Sequence, residues 1–166
     1  MTRENTPEFI NYVQINERIA TSGQLTEAQI KWISDQGYST VINLAPHTAQ
    51  DTLPNEGKIV AASFMVYVNI PVLYEDPQLS QLKTFCAVLN SLADEKIWIH
   101  CALNTRVAAF MYLYQRYELG LSHQEALSEM FQQWTPDETW LEFFDDAEAE
   151  MYKRKIFSRQ LEEKVA

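Results

Sequence analysis

The sequence predicts an α/β fold: a central, mostly parallel sheet flanked by helices, with a helix-rich C-terminal third. Three observations predict it. Short apolar or alternating runs exchange with stretches of helical spacing, an order that calls for parallel strands joined by right-handed crossovers. One run, "YSTVINLA" (38–45), is β-branched and nearly all apolar, as a central strand buried on both faces is. Capping signatures and only four glycines mark where the helical stretches begin and turn.

The elements follow in order. "YVQINERIAT" (12–21) alternates loosely and reads as one or two short strands. "TEAQIKWISDQG" (26–37) reads as a helix, with Thr26 and Gln29 spaced as a capping box and Gly37 placed to end it. "YSTVINLA" is the next strand, "LPNEGKIVAASF" (53–64) a short helix, and "MVYVNIPV" (65–72) a further strand. After "LYEDP" (73–77), Leu79, Leu82, Phe85, Cys86, Leu89 and Leu92 fall at helical spacing. "KIWIHC" (96–101) is a strand, and "RVAAFMYLYQRYELG" (106–120) a helix closed by Gly120. Ser122 with Glu125, and Thr135 with Glu138 and Pro136 at the first helical position, open two final helices that pack on one face of the sheet.

At 166 residues and 46% hydrophobic, the chain suits one domain, 1–166, with a substantial core. Thirteen basic against 23 acidic residues give a net charge of -10, a field that repels nucleic acid, anionic membranes and polyphosphates. A small anion binds only where a local site overrides that field. There is no signal-peptide pattern and no apolar run of spanning length, which predicts a soluble, cytoplasmic protein. Cys86 and Cys101 are too few for a disulfide framework, and no Cys/His cluster suggests a metal site or calls for a cofactor. Nothing in the sequence sets the oligomeric state.

Ligands collect at the carboxyl ends of the strands in such a sheet. "APHTAQD" (45–51), "LYEDPQ" (73–78) and "CALNTR" (101–106) all end there, which places Cys101 and Arg106 within reach of Glu75 and Asp76. A cysteine ending a strand, with the backbone N–H groups of Ala102, Leu103, Asn104, Thr105 and Arg106 curling into a helix start, describes a nucleophile at the floor of an oxyanion cradle. The helix start favours a thiolate over a thiol. Arg106 adds a planar cationic fork able to grip two oxygens. Asn104 stands where glycine would be usual, because after glycine it best tolerates left-handed angles. The plainer alternative is a buried cysteine beside an exposed arginine.

"IHC", a short loop, then Arg and an amphipathic helix resembles the signature of cysteine-dependent protein tyrosine and dual-specificity phosphatases. "RIATSGQLTEAQIKWISDQGYSTVINLAP" (18–46) resembles the opening of a bacterial phosphatase-like family of unknown function that also forms the N-terminal domain of beta-lactamase hydrolase-like proteins. The resemblance runs from about Ile15 to about Tyr117. It implies a phosphocysteine mechanism on a small phosphorylated molecule or a phosphoprotein. Cys101 would attack phosphorus, Arg106 would hold the phosphoryl oxygens, and His100 would support the thiolate through hydrogen bonds to the loop. Asp76 or Glu75 would protonate the leaving group and later activate water. Ser22 and Gln24, in "TSGQ", would lie near the pocket.

Two departures from that pattern carry chemical weight. Between Cys101 and Arg106 stand four residues, one fewer than those phosphatases use and the length of a rhodanese-like sulfurtransferase loop around a persulfide. Val107 stands where a hydroxyl usually helps the sulfur leave. The sequence therefore keeps three functions open: a phosphatase, a sulfurtransferase working through a Cys101 persulfide, and a non-catalytic anion-binding module. Asp76, followed by Pro77, also reads as an ordinary helix N-cap. Cys86 reads as core, His47 and His123 as exposed, and "YLYQRY" (112–117) as core and interface.

Overall fold

Strand β5 (Ile97–His100) is buried at all four positions, and its alternating side chains divide the molecule into two apolar layers. The computed structural model describes residues 6–166. Ile97 and Ile99 face α3 (Leu79–Ser91), α4 (Thr105–Leu113) and α6 (Glu138–Val165). Trp98 faces α1 (Glu27–Asp35) and α2 (Glu56–Ala62). The remaining strands are β1 (Val13–Gln14), β2 (Ile19–Ser22), β3 (Thr40–Asn43) and β4 (Val66–Asn69), in the spatial order β1-β2-β5-β3-β4. Only β1 runs antiparallel. The sheet is thus mostly parallel with helices on both sides, as its alternating sequence requires, and β3 is buried on both faces.

Local signals set the helix ends. The Thr26 hydroxyl accepts from Gln29 N–H while the Gln29 side chain accepts from Thr26 N–H, the reciprocal box its sequence predicts. Ser122 and Glu125 do the same for the one-turn α5 (His123–Ala126). Gly37 and Gly120 take φ of 84° and 71°, left-handed angles that stop their helices at little cost. Two expected starts move. The cap of α6 is Asp137, whose carboxylate accepts from Trp140 N–H at 3.1 Å, so Thr135 and Pro136 lie ahead of the helix. The cap of α3 is Gln78, whose N–H donates to the Gln81 side chain at 3.0 Å, so Asp76 is not the N-cap.

The C-terminal third packs on the α3/α4 face through Trp140, Phe143, Ala147 and Met151 of α6. Phe110 stacks on Phe143 and meets Phe85 edge-on, and each such fully buried side chain contributes about 1.5–3 kcal/mol. After α4 the chain widens into a π turn, Tyr114–Glu118, and a 3-10 turn, Glu129–Gln132, precedes α6. Tyr112 and Tyr114 are buried, so the "YLYQRY" stripe is largely core. Among the described residues no helix is long and apolar enough to cross a membrane.

Candidate active site

β5 ends between two neighbours that stop at the same level, with Ser22 of β2 and Asn43 of β3 both in register with His100. Cys101 N–H donates to Ser22 O at 3.4 Å, and Leu44 N–H to His100 O at 2.8 Å, so the strand delivers His100 and Cys101 to a fixed point on the sheet edge. Both residues are fully buried, and the Cys101 thiol is free.

The loop beyond is held from behind by its carbonyls. His100 Nδ1 lies 3.2 Å from Cys101 O, Gln24 N–H donates to Ala102 O at 3.0 Å, and Asn11 Nδ2 donates to Leu103 O at 3.0 Å. A trans peptide is planar, with N–H and C=O antiparallel. Each carbonyl drawn outward therefore turns the following amide, of Ala102, Leu103 and Asn104, the opposite way. Those three amides donate to no other group among the described residues. Gly23 lets β2 approach this closely, since a Cβ there would stand 2.6 Å from Ala102 O.

Asn104 adopts the left-handed conformation expected of it, φ 67°, and its side-chain nitrogen is spent on the scaffold, while its buried Oδ1 has no partner among the described residues. Its Nδ2 donates to Asn11 O at 2.7 Å and to Thr21 Oγ1 at 3.0 Å. This explains why asparagine replaces glycine here: the side chain ties the loop to β2 and to the chain entering β1. α4 starts at the next residue, Thr105, which is half-buried, whereas Leu103 is exposed. Arg106 is 7% exposed, donates to Val72 O at 2.8 Å, and keeps a buried Nε without a partner. Val107 is fully buried.

The expected carboxylates stand apart. Glu75 and Asp76 are exposed, and Asp76 Oδ1 accepts from Gln78 Nε2 at 2.6 Å. They line a groove with Glu142 and Asp146 of α6 that includes no residue of the Cys101–Arg106 loop. Cys101 and Arg106 are thus the two buried ends of one loop, while both acids lie in an exposed segment.

One acid that sequence reasoning missed lies beneath the loop. Glu56, 3% exposed at the start of α2, places Oε1 2.9 Å from His100 Nε2, an ion-pair contact bent off the hydrogen-bond line. Gln24 Nε2 donates to the same oxygen at 3.1 Å. Asn43 Nδ2 and the Tyr67 hydroxyl each donate to Oε2 at 2.8 Å. Burial pushes the carboxyl up, but His100, Tyr67 and Gln24 outweigh it and hold it below its ordinary 4.5. Glu56 shares its helix face with buried Val60, four residues on, and an acid on a core-facing position was the available signal.

Ser22 and Gln24 adjoin the loop as expected, though the Ser22 hydroxyl is occupied by Trp98 Nε1 at 2.9 Å. Cys86 is core: burial, with Glu118 adding, pushes its thiol up to about 12. His47 and His123 are exposed, the latter with Nδ1 2.8 Å from the Tyr112 hydroxyl.

A buried cysteine, a loop of outward-held carbonyls and a clamped arginine at a strand-helix junction define a phosphatase-like domain of the dual-specificity type. The chain belongs to the family described as DSP-PTPase phosphatase fused to NAD+ kinase, whose model matches residues 4–142. Over 99 residues, 58% of its length, it is 24% identical to NAD kinase 2, chloroplastic, of Arabidopsis thaliana, and spans 10% of that protein. It is similar to a DUF442 protein of Shewanella putrefaciens CN-32, with 26% identity, a TM-score of 0.78, and 86% of this chain and 94% of that one covered. PTPMT1, crystallised with PI(5)P, shares the fold at 14% identity and a TM-score of 0.73, covering 87% of this chain and 98% of that one.

Proposed function

We propose that residues 1–166 act as a single cysteine-dependent phosphatase domain on a phosphomonoester, carried by a small molecule or a phosphoprotein. The observation that carries this reading is the loop itself: three carbonyls held outward, so that the amides of Ala102, Leu103 and Asn104 turn away from their anchors, beside a buried guanidinium with an unpaired Nε. That arrangement suits the oxygens of a phosphoryl group. The Cys101 thiolate forms an S–P bond as the P–O bond to the leaving group breaks, and Arg106 and the loop amides hold the equatorial oxygens. Asp76 or Glu75, in its protonated form, gives the leaving oxygen a proton. Water then attacks phosphorus, passes a proton to the same carboxylate, and restores the thiolate as phosphate departs.

The test is hydrolysis of an aryl phosphate. The native chain is expected to turn over, and Cys101→Ser to lose about a thousandfold or more in kcat with its melting temperature retained. Activity persisting in Cys101→Ser excludes the mechanism.

The four-residue spacing between Cys101 and Arg106 favours a second reading, sulfur transfer through a Cys101 persulfide. Sulfur transfer from thiosulfate to cyanide that vanishes in Cys101→Ala, without aryl phosphate hydrolysis, selects it over the first.

A further inference from the structure

Among the described residues Glu56 is the only buried carboxylate, and the phosphoryl chemistry above gives it no step. Four side chains from four segments converge on it: Gln24 from the β2–α1 connection, Asn43 from β3, Tyr67 from β4 and His100 from β5. We propose that Glu56 is a positioning residue for Cys101: its carboxylate holds His100 with protons on both ring nitrogens, and through that imidazolium fixes the first peptide of the loop. The proposal rests on Cys101 being the nucleophile.

The proton count follows from what each ring nitrogen faces. Nδ1 lies 3.2 Å from a carbonyl oxygen, which has only lone pairs to offer, so Nδ1 must carry a proton. Nε2 lies 2.9 Å from Glu56 Oε1. That carboxylate already accepts from Gln24, Asn43 and Tyr67, three donors that favour its ionised form. A neutral ring with its proton on Nδ1 would press the Nε2 lone pair against an anionic oxygen in a buried site. A ring with its proton on Nε2 would do the same to the Cys101 carbonyl. Only the imidazolium avoids both lone-pair contacts: Nδ1–H faces the Cys101 carbonyl, and the cationic ring stands in ion-pair contact with the carboxylate although Nε2 lies off the hydrogen-bond line.

The other groups around the pair do not change this balance. Gln24 and Asn43 are neutral, and burial, with the Glu56 charge adding, raises Tyr67 and keeps it a donor. Glu56 and His100 are then a compensated pair that adds no net charge to the interior. The consequence for the loop is geometric: the doubly protonated ring keeps the Cys101 carbonyl turned toward it, which aims the Ala102 amide away.

Nitrogen-15 spectra of the imidazoles at neutral pH test this directly, because the chain has only three histidines. Two protonated nitrogens are expected on His100 in the native protein, one in Glu56→Gln, and two again in Glu56→Asp. On an aryl phosphate, Glu56→Gln is expected to lower kcat about tenfold or more with KM changed less than about twofold, and Glu56→Asp to restore part of the loss. Tyr67→Phe loosens the same cluster, and is expected to lower the melting temperature while leaving the second His100 proton in place. A single proton on native His100 overturns the proposal, as does a folded Glu56→Gln protein with unchanged kcat. If the native chain hydrolyses no aryl phosphate, the phosphatase reading falls and the proton count alone decides the role of Glu56.

Discussion

Two of the loops that leave the carboxyl edge of the sheet are treated oppositely by the fold. The Cys101–Arg106 loop is anchored at nearly every residue: its carbonyls by His100, Gln24 and Asn11, its left-handed turn by the Asn104 side chain, its arginine by Val72. The Leu73–Gln78 segment is exposed at both acids, and among the described residues the Asp76 carboxylate finds only its neighbour Gln78. Preorganisation has been concentrated on the loop that the proposed mechanism assigns to oxyanion binding. In the proposed mechanism, proton delivery would rest on side chains that solvent and a substrate can rearrange.

Substitutions at four positions break or sharpen this contrast, in falling order of effect. Arg106→Lys keeps the charge but cannot both donate to Val72 O and present a fork to two oxygens, so kcat/KM on an aryl phosphate should fall about a hundredfold or more. Asn104→Ala loses two buried hydrogen bonds and forces a Cβ-bearing residue without a helpful side chain into the left-handed region. Urea unfolding should show about 2–4 kcal/mol lost, while Asn104→Gly, which relieves only the backbone strain, should lose less. Asp76→Asn and Glu75→Gln should each cost less than about tenfold on an activated aryl phosphate, with the larger loss on an alkyl phosphate whose leaving group needs the proton. If either acid variant exceeds the Arg106→Lys loss on the aryl substrate, the two loops are not as unequal as their anchoring implies.

Most of this architecture was legible from local rules. The order of strands and helices, the boxes at Thr26 and Ser122, the turns at Gly37 and Gly120 and the left-handed Asn104 each follow from a few neighbouring residues. The misplaced starts of α3 and α6 are also local: Asp76-Pro77 and Thr135-Pro136 carry cap chemistry, yet the caps fall later, at Gln78 and Asp137. What stayed hidden is what only the sheet brings together. Glu56, Asn43, Tyr67 and His100 come from four segments, and no spacing within one segment announces their meeting. The exposure of Glu75 and Asp76 was hidden for the same reason, since shared strand ends do not fix where a side chain lies.

The position of β5 has a consequence for how the chain reaches its native state. β2 and β3 are successive strands, yet they share no hydrogen bonds: β5 stands between them, pairing Ile97 with both Ile19 and Thr40. A chain folding from its N-terminus can form the β1/β2 and β3/β4 pairs separately, but nothing joins them until residues 97–100 arrive. Closing that gap is a long-range event, with a high entropic barrier. The cysteine is the next residue after the closing strand, so partly folded forms hold it outside its loop, and assembly of the sheet and assembly of the proposed anion site become one event.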